Sequence, residues 1–165
     1  MRKILVLDDQ LDSLTALQAI LEYRGYGHVI PVSDPHEAMR IVSDESADGC
    51  AVDFFVCDIV LRSSMTGAET AFLVHQTCPD LPILFTSGTA LEGLDDADFE
   101  TLNQLLAARV DFLQKPFTAT QLVSVADRLL SARGSPPEFA RALQRASDHR
   151  QTFRKHSTRV RRAGS

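Results

Sequence analysis

Asp53-Phe54-Phe55-Val56-Cys57-Asp58-Ile59 is the stretch that decides the fold. Residues 53–57 are aromatic and β-branched enough to predict a short buried strand. Asp58 ends that strand, and residues 59–67 have the composition of a loop. An acid at the carboxyl end of a buried strand is a common position for chemistry in α/β proteins. An aspartate there also has a plainer interpretation, which is that it caps the strand or begins a turn.

The same pattern recurs on both sides of this stretch. Further strands are predicted at 3–7, 27–32, 83–85 and 111–114. Segments with helical spacing of apolar residues follow the strands. Gly25 is a predicted left-handed helix cap, and Asp34-Pro35 predicts a helix start. The acidic segment 92–100 is expected to precede the fourth helix, and Thr118 or Thr120 to cap the last one. Five strand-then-helix repeats predict an α/β protein with a parallel sheet covered by helices on both faces.

Polar residues stand where four of these strands end. Asp8-Asp9, Asp58, Thr86 and Lys115 follow strands one, three, four and five, and ligands of such sheets gather at that edge. Three carboxylates meeting there would repel one another, and a divalent cation relieves the repulsion. Oxygen donors favour Mg²⁺, Ca²⁺ or Mn²⁺. Asp9 and Asp58 are the candidates for direct contact, Asp8 for contact through water, and the carbonyl of Val60 for a further ligand.

Such a site suits phosphoryl transfer. The metal and Lys115 would hold phosphate oxygens, and Thr86 offers a hydroxyl. A carboxylate can itself be the nucleophile and form an aspartyl phosphate, and Asp58 is the candidate at the central strand. Each residue also has a plainer interpretation: a helix N-cap for Asp8-Asp9, a turn residue for Thr86, a surface charge for Lys115. That all of them should fall at successive strand ends favours a common site.

An ordered set of motifs resembles the response-regulator receiver domain of two-component signalling (the CheY-like superfamily) over residues 1 to about 132. Its pieces are Leu7-Asp8-Asp9, Asp58-Ile59-Val60-Leu61 with Gly67, Thr86-Ser87-Gly88, and Phe112-Leu113-Gln114-Lys115-Pro116-Phe117. The resemblance implies a doubly wound, flavodoxin-like five-stranded sheet of order 2-1-3-4-5. It also implies that Asp58 accepts phosphate from a sensor histidine kinase or a histidine phosphotransfer protein, that Asp8 and Asp9 bind Mg²⁺, and that Thr86 and Lys115 bind the phosphoryl group.

The resemblance further implies a switch. Thr86 would move toward the phosphate and Phe112 would turn inward, which would alter the surface of the fourth helix, fifth strand and fifth helix for a downstream partner or a homodimer. Phe112 has the plainer interpretation of an ordinary core aromatic. No enzymatic activity is expected beyond self-phosphorylation and self-dephosphorylation.

Three departures from the family pattern stand out. The loop after Asp58 is one residue longer than usual and lacks the usual proline. Thr86 and Lys115 lie 29 positions apart, an excess of roughly two helical turns, which we interpret as a partner-specific or self-association feature around residues 91–100. Val60 and Gly88 flank the predicted phosphate, and neither side chain can hydrogen-bond an attacking water. This predicts slow self-dephosphorylation.

Charge divides the chain into an acidic body and a basic tail. Residues 1–133 carry a balance of −11 and residues 134–165 a balance of +6, within an overall −5. We therefore predict a stand-alone receiver domain over 1–133, followed by a tail that is partly helical or disordered. Phe139, Ala142, Leu143, Ala146 and Phe153 follow a helical stripe in that tail. The alternatives for it are a frayed, disordered end, docking on an acidic surface of its own body or of a second copy, and nucleic-acid binding, which the acidic body disfavours because it repels phosphates.

The remaining features bound the location and the chemistry. No apolar stretch approaches the ~18 residues of a membrane helix, and the first residues do not form a signal peptide. The three cysteines form no CxxC pair, which predicts reduced thiols in a cytoplasm rather than a disulfide. Two other functions stay open, a receiver-like interaction scaffold and a Mg²⁺-dependent phosphatase with an aspartyl nucleophile. The second lacks the DxD motif, because Val60 stands where the second acid belongs.

Overall fold

The computed structural model describes residues 1–44, 49–131 and 137–163. Its five strands form one parallel sheet of order β2-β1-β3-β4-β5, as expected. The strands are β1 (Lys3–Leu7), β2 (His28–Val32), β3 (Phe54–Asp58), β4 (Ile83–Ser87) and β5 (Val110–Gln114). The helices are α1 (Leu11–Tyr23), α2 (Pro35–Val42), α3 (Gly67–Thr77), α4 (Asp96–Gln104), α5 (Ala119–Ser131) and α6 (Pro137–Ala163), and a 3₁₀ turn spans Leu91–Gly93.

Alternate side chains of the central strands enter two separate apolar layers. Leu5 and Phe55 point to the layer that also contains residues of α2, α3 and α4. Ile4 and Phe54 point to the layer that contains residues of α1 and α5. All five residues of β3 are buried, which is why its sequence is a continuous apolar run with a single acid at its end.

The boundaries of several elements differ from prediction, and β2 and β5 each begin one residue away from the predicted start. β3 includes Asp58, and β4 extends to Ser87, because the ladder continues with Asp58 opposite Thr86. The acidic segment does not precede the fourth helix but forms its beginning, since Asp95 caps α4 by accepting a hydrogen bond from the amide of Asp98. Acids are favourable in the first turn of a helix, so this segment is a helix start.

The predicted helix signals are otherwise confirmed. Gly25 has a φ of 73° after α1. Asp34 accepts a hydrogen bond from the amide of His36 at the start of α2. Thr118, rather than Thr120, caps α5, because its hydroxyl oxygen accepts a hydrogen bond from the amide of Gln121.

The basic tail contains the long helix α6. Phe139 and Leu143 are each 1% exposed and Ala146 is 4% exposed, so one stripe of the helix packs into the core. Phe153, the last member of the predicted stripe, is 70% exposed. The helix packs against the 3₁₀ turn and β5, and the boundary predicted at 133 lies outside the described residues.

A disulfide joins Cys50 and Cys78, which corrects the prediction that the cysteines are reduced thiols. The two residues are 28 positions apart, and the prediction relied on short-range spacing alone. The parallel fold brings the segment before β3 beside the end of α3. Cys57 is a free, buried thiol. None of the helices in the described part of the chain is long and apolar enough to cross a membrane.

Candidate functional site

Lys115 is the centre of a cluster at the carboxyl edge of the sheet. Its ammonium nitrogen Nζ lies 2.6 Å from Asp8 Oδ2 and 3.0 Å from Asp58 Oδ2. Asp8 is fully buried and Asp58 is 4% exposed, whereas the Lys115 side chain keeps 19% of its surface exposed. Residues separated by up to 107 positions therefore meet because three parallel strands end at one edge.

Asp9 completes a group of three carboxylates. One oxygen from each of Asp8, Asp9 and Asp58 lies within 4.8 Å of the others. Asp9 is held by Arg62 of the loop after Asp58, whose amide and Nε both donate to Oδ2, at 2.9 and 3.1 Å. The cluster thus opens toward solvent at Asp9 and Arg62, and it is closed beneath by Asp8.

The pKa values reflect burial and the local charges. Burial raises the pKa of Asp58, and the charge of Lys115 offsets only part of that increase. Burial alone would lower the pKa of Lys115, but its contacts with Asp8 and Asp58 outweigh this and raise it. For Asp9 burial is outweighed by hydrogen bonds from Arg62, so its pKa is lowered. Lys115 therefore stays protonated between the acids.

Thr86, Val60 and Phe112 occupy different positions around the cluster. Thr86 pairs with Asp58 across the ladder and is fully buried. Its hydroxyl has no hydrogen-bond partner within the described residues. Val60 is 50% exposed, and its amide donates to Asp58 Oδ1 over 3.3 Å. Phe112 lies on β5, is half-buried and faces α6 rather than the cluster.

The loop between Asp58 and α3 is shaped by a close backbone contact. A Cβ built on Gly67 would lie 1.7 Å from the carbonyl oxygen of Asp58, so only glycine fits there. At the other side of the edge, a Cβ on Gly88 would meet nothing within 4 Å. Gly67 also donates its amide to the carbonyl of Ile59 over 2.8 Å, which closes the loop directly behind Asp58.

Sequence reasoning missed several residues of this region. Arg62 was not singled out, because an arginine in an exposed loop has no pattern of its own. Thr66 caps α3 in a capping box with Glu69, a signal that the sequence does contain. Its hydroxyl also donates to Asp98 Oδ1 on α4, at 2.6 Å, and no spacing rule predicts that contact.

The donor set fits a hard divalent cation. It consists of carboxylate oxygens, two of the three acids are buried, and the nearest basic side chains are Lys115 and Arg62. The three carboxylates carry more negative charge than these two basic side chains balance. A divalent cation relieves the repulsion that this excess causes.

Comparison with known proteins shows what the chain is similar to. The family model described as "Response regulator receiver domain" matches residues 4–127. The alkaline phosphatase synthesis transcriptional regulatory protein PhoP of Bacillus subtilis is 31% identical over 121 residues, which are 73% of this chain and 45% of PhoP. The transcriptional regulatory protein YvrH of Bacillus subtilis is 25% identical, over 73% of this chain and 46% of YvrH.

A solved structure extends the likeness to the fold. The receiver domain of NtrX from Brucella abortus superposes with a TM-score of 0.62 at 27% identity, covering 79% of this chain and 99% of that one. The chain spans about half the length of the curated relatives it matches.

Proposed function

The chain belongs to the response regulator receiver domain family, and from this premise we propose that Asp58 is the phosphoacceptor of a two-component or phosphorelay system. The donor would be a phosphohistidine of a sensor histidine kinase or of a histidine phosphotransfer protein. The observation that carries the proposal is the contact of Lys115 Nζ with both Asp8 and Asp58. A lone capping aspartate needs no half-buried ammonium group in contact with it.

In the proposed reaction a carboxylate oxygen of Asp58 attacks phosphorus. The new O–P bond forms as the P–N bond to the donor histidine breaks, and the imidazole leaves with the electron pair and takes up a proton. Lys115 holds the oxygens of the group in transfer and offsets their charge. Thr86 supplies its otherwise unpartnered hydroxyl as a donor to the phosphoryl group.

The proposed metal is Mg²⁺, held by Asp9 and Asp58 directly, by Asp8 through water and by the carbonyl of Val60. When bound, it would supply electrostatic stabilisation of the phosphoryl oxygens. The side chains themselves prepare the site. Asp8 holds Lys115 in place, and Arg62 binds Asp9 until the ion displaces Arg62. Displacement costs little, because the Arg62 side chain is 83% exposed and such surface pairs are weak.

The proposed output is a change of the surface formed by α4, β5 and α5. Thr86 and Phe112 lie on the adjacent strands β4 and β5, so a shift of Thr86 toward the phosphate would leave room for Phe112 to turn inward. The partners we propose are the kinase or phosphotransfer protein, a downstream protein and a second copy. We propose a cytoplasmic location and no binding to nucleic acid. The redox state of Cys50 and Cys78 in cells tests the location, because disulfides are rare in a reducing cytosol.

The test is incubation with Mg²⁺ and acetyl phosphate, followed by intact mass. We expect one phosphoryl group on the wild type and on Asp12→Asn, an exposed acid of α1, and none on Asp58→Asn. A chain that turns over many donor molecules without holding the group would indicate the phosphatase instead. No adduct on the wild type would indicate the interaction scaffold.

A further inference from the structure

Helix α6 lies on an apolar surface that the phosphoacceptor site does not use. We name this surface the α4–β5 face and define it by four residues: Leu91, Leu94, Phe99 and Phe112. Three of them are 5–7% exposed, and all of them pack in the same apolar cluster as Phe139, Leu143 and Ala146 of α6. The helix is therefore the cover of this face.

One arginine joins the polar edge of α6 to the face. Arg150 donates to the carbonyl oxygens of Glu92 and Leu94, at 3.1 and 2.6 Å, and to the carboxylate of Asp96. Its guanidinium carbon lies 4.5 Å from the ring centroid of Phe99. The side chain is only 14% exposed. Hydrogen bonds of a charged group that is withdrawn from water are among the stronger ones in proteins.

Phe112, the predicted switch aromatic, lies under α6. It lines a cavity of about 380 Å³ together with Leu91 of the 3₁₀ turn and Ala142, Ala146 and His149 of α6. A rotation of the Phe112 ring toward the sheet would remove an aromatic contact from the underside of the helix. The packed position of α6 and the rotamer of Phe112 therefore depend on each other.

The first turn of α4 connects α6 to the loop after Asp58. On one side Asp96 binds Arg150 and Arg154 of α6. Two residues further, Asp98 is 4% exposed and accepts the 2.6 Å hydrogen bond from Thr66 at the end of that loop. A displacement of the loop is thus passed to the same helical turn that holds α6.

We propose that α6 is an intramolecular cover of the α4–β5 face, that it competes with any partner for this face, and that the first turn of α4 couples its seating to the loop after Asp58. The coupling to phosphorylation rests on the proposed function, but the seating itself does not. Because coupling is reciprocal, release of α6 also alters the equilibrium at the phosphoacceptor site. A partner that replaces α6 needs an apolar stripe flanked by basic residues, since Arg150 and Arg154 of α6 both bind Asp96.

Hydrogen exchange of the full chain tests the seating. We expect Arg150→Ala to raise the exchange rates of amides in 139–149 and 91–104 together by about tenfold, from the loss of the contacts above. Arg141→Ala is the matched control, an exposed arginine on the same helix, and it should change the rates less than about twofold. Equal effects of the two variants would overturn the proposal, and so would protection of α6 that rises with protein concentration, which would place the helix on a second copy.

The link through α4 has its own test. Thr66→Asp keeps an N-cap acceptor for α3, but it has no hydroxyl donor and repels Asp98. Thr66→Ser keeps both the cap and the donor. We expect faster exchange of α6 in the aspartate variant and wild-type exchange in the serine variant. Unchanged α6 exchange in both would disprove the coupling, whether or not the chain is phosphorylated.

Phosphorylation then separates this inference from the proposed function. With Mg²⁺ and acetyl phosphate, intact mass reports the adduct and hydrogen exchange reports α6 on the same sample. An adduct with faster α6 exchange supports both. An adduct with unchanged α6 exchange overturns the coupling alone. The absence of an adduct overturns the proposed function, and the Thr66 variants still decide the coupling.

Discussion

The carboxyl edge of the sheet and the α4–β5 face are held together in different ways. At the edge, Lys115 contacts Asp8 and Asp58 because each of the three follows or ends a strand of the same sheet. At the face, one helix lies on four apolar residues and is fastened by Arg150. The first arrangement is fixed by the topology of the sheet, whereas the second depends on a few side chains. We therefore expect changes at the edge to affect phosphoryl chemistry and changes at the face to affect the exposure of that face.

Gly67→Ala should have the largest effect and breaks the edge itself. A Cβ would meet the Asp58 carbonyl oxygen at 1.7 Å, and backbone that must move to relieve such overlap costs about 3 kcal/mol or more. Chemical denaturation should show this loss of stability, together with loss of the phosphoryl adduct. Gly88→Ala, with open space around its Cβ, should stay within about 0.5 kcal/mol of wild type. A stable Gly67→Ala chain would disprove the packing described here.

Phe139→Ala should release α6 and leave the edge intact. The side chain is 1% exposed, and truncation of a buried phenylalanine costs about 3–5 kcal/mol, part of which is recovered as α6 leaves the core. Hydrogen exchange should show an unprotected α6, and intact mass should still show one phosphoryl group, although reciprocal coupling to the released helix changes how readily that group is gained. Phe153→Ala is the matched control, since Phe153 is 70% exposed. Loss of phosphorylation in Phe139→Ala would mean that the two regions are not separable.

Loss of the Cys50–Cys78 disulfide should lower stability without changing the resting contacts of either region. The bond closes a loop of 28 residues, for which chain entropy gives about 3–4 kcal/mol. Cys50→Ser should therefore lower the midpoint of denaturation, and a reducing agent should do the same to the wild type. The control is Cys57→Ser, measured with and without reductant. Because Cys57 is free, this variant keeps the disulfide and should respond to reductant as the wild type does. If reductant has no effect on the wild type, the cysteines are not joined in solution.

Gly88→Glu and Val60→Asn should shorten the lifetime of the phosphoryl group. Both introduce a side chain that can hydrogen-bond an attacking water beside Asp58, and Gly88 has the space for it. We expect about a tenfold faster loss, equivalent to about 1.4 kcal/mol in the barrier. The measurement is the decay of the adduct by intact mass, with Gly88→Ala as the control. A wild-type adduct that persists for only minutes or less would contradict the expected slow self-dephosphorylation.

Tyr26→Phe should have the smallest effect, present at neutral pH and lost at alkaline pH. Burial and the hydrogen bond to Asp127 raise the pKa of Tyr26 to about 12. The folded chain then holds this proton more tightly than the unfolded chain, so the contribution to stability is present below about pH 10 and is lost as the pH rises through about 12. Denaturation against pH should show this decline in wild type and not in Tyr26→Phe. Neither the edge nor the face should respond.

The edge was predictable from the sequence to a greater extent than the face. Continuous apolar strands show their period, and Asp58 and Lys115 follow from where those strands end. The contact of Thr66 with Asp98 depends on the angle between α3 and α4, which no local pattern contains. The contacts of Arg150 are equally hard to predict, because a helix with regularly spaced basic and apolar residues can pack at many positions on an apolar surface.

Two predictions failed for a physical reason of another kind. The acidic segment around Asp96 was separated from its helix because acids weaken an apolar pattern, although they favour a helix start. The disulfide was missed because Cys50 and Cys78 become neighbours only through the β3–α3 crossover. The cap of Asp95 on Asp98 is local but polar, so a hydrophobic period does not report it, whereas the Cys50–Cys78 contact lies outside the window in which that period is read.

The disulfide also has a mechanical consequence for the β3–α3 unit. Cys50 lies just before β3 and Cys78 just after α3, so the covalent bond clamps the unit at its base. The loop that follows Asp58 lies at the opposite, unclamped end. A covalent bond at the base opposes sliding of α3 along the sheet, so we expect strain introduced at Asp58 to be relieved at the loop end, where Thr66 contacts α4.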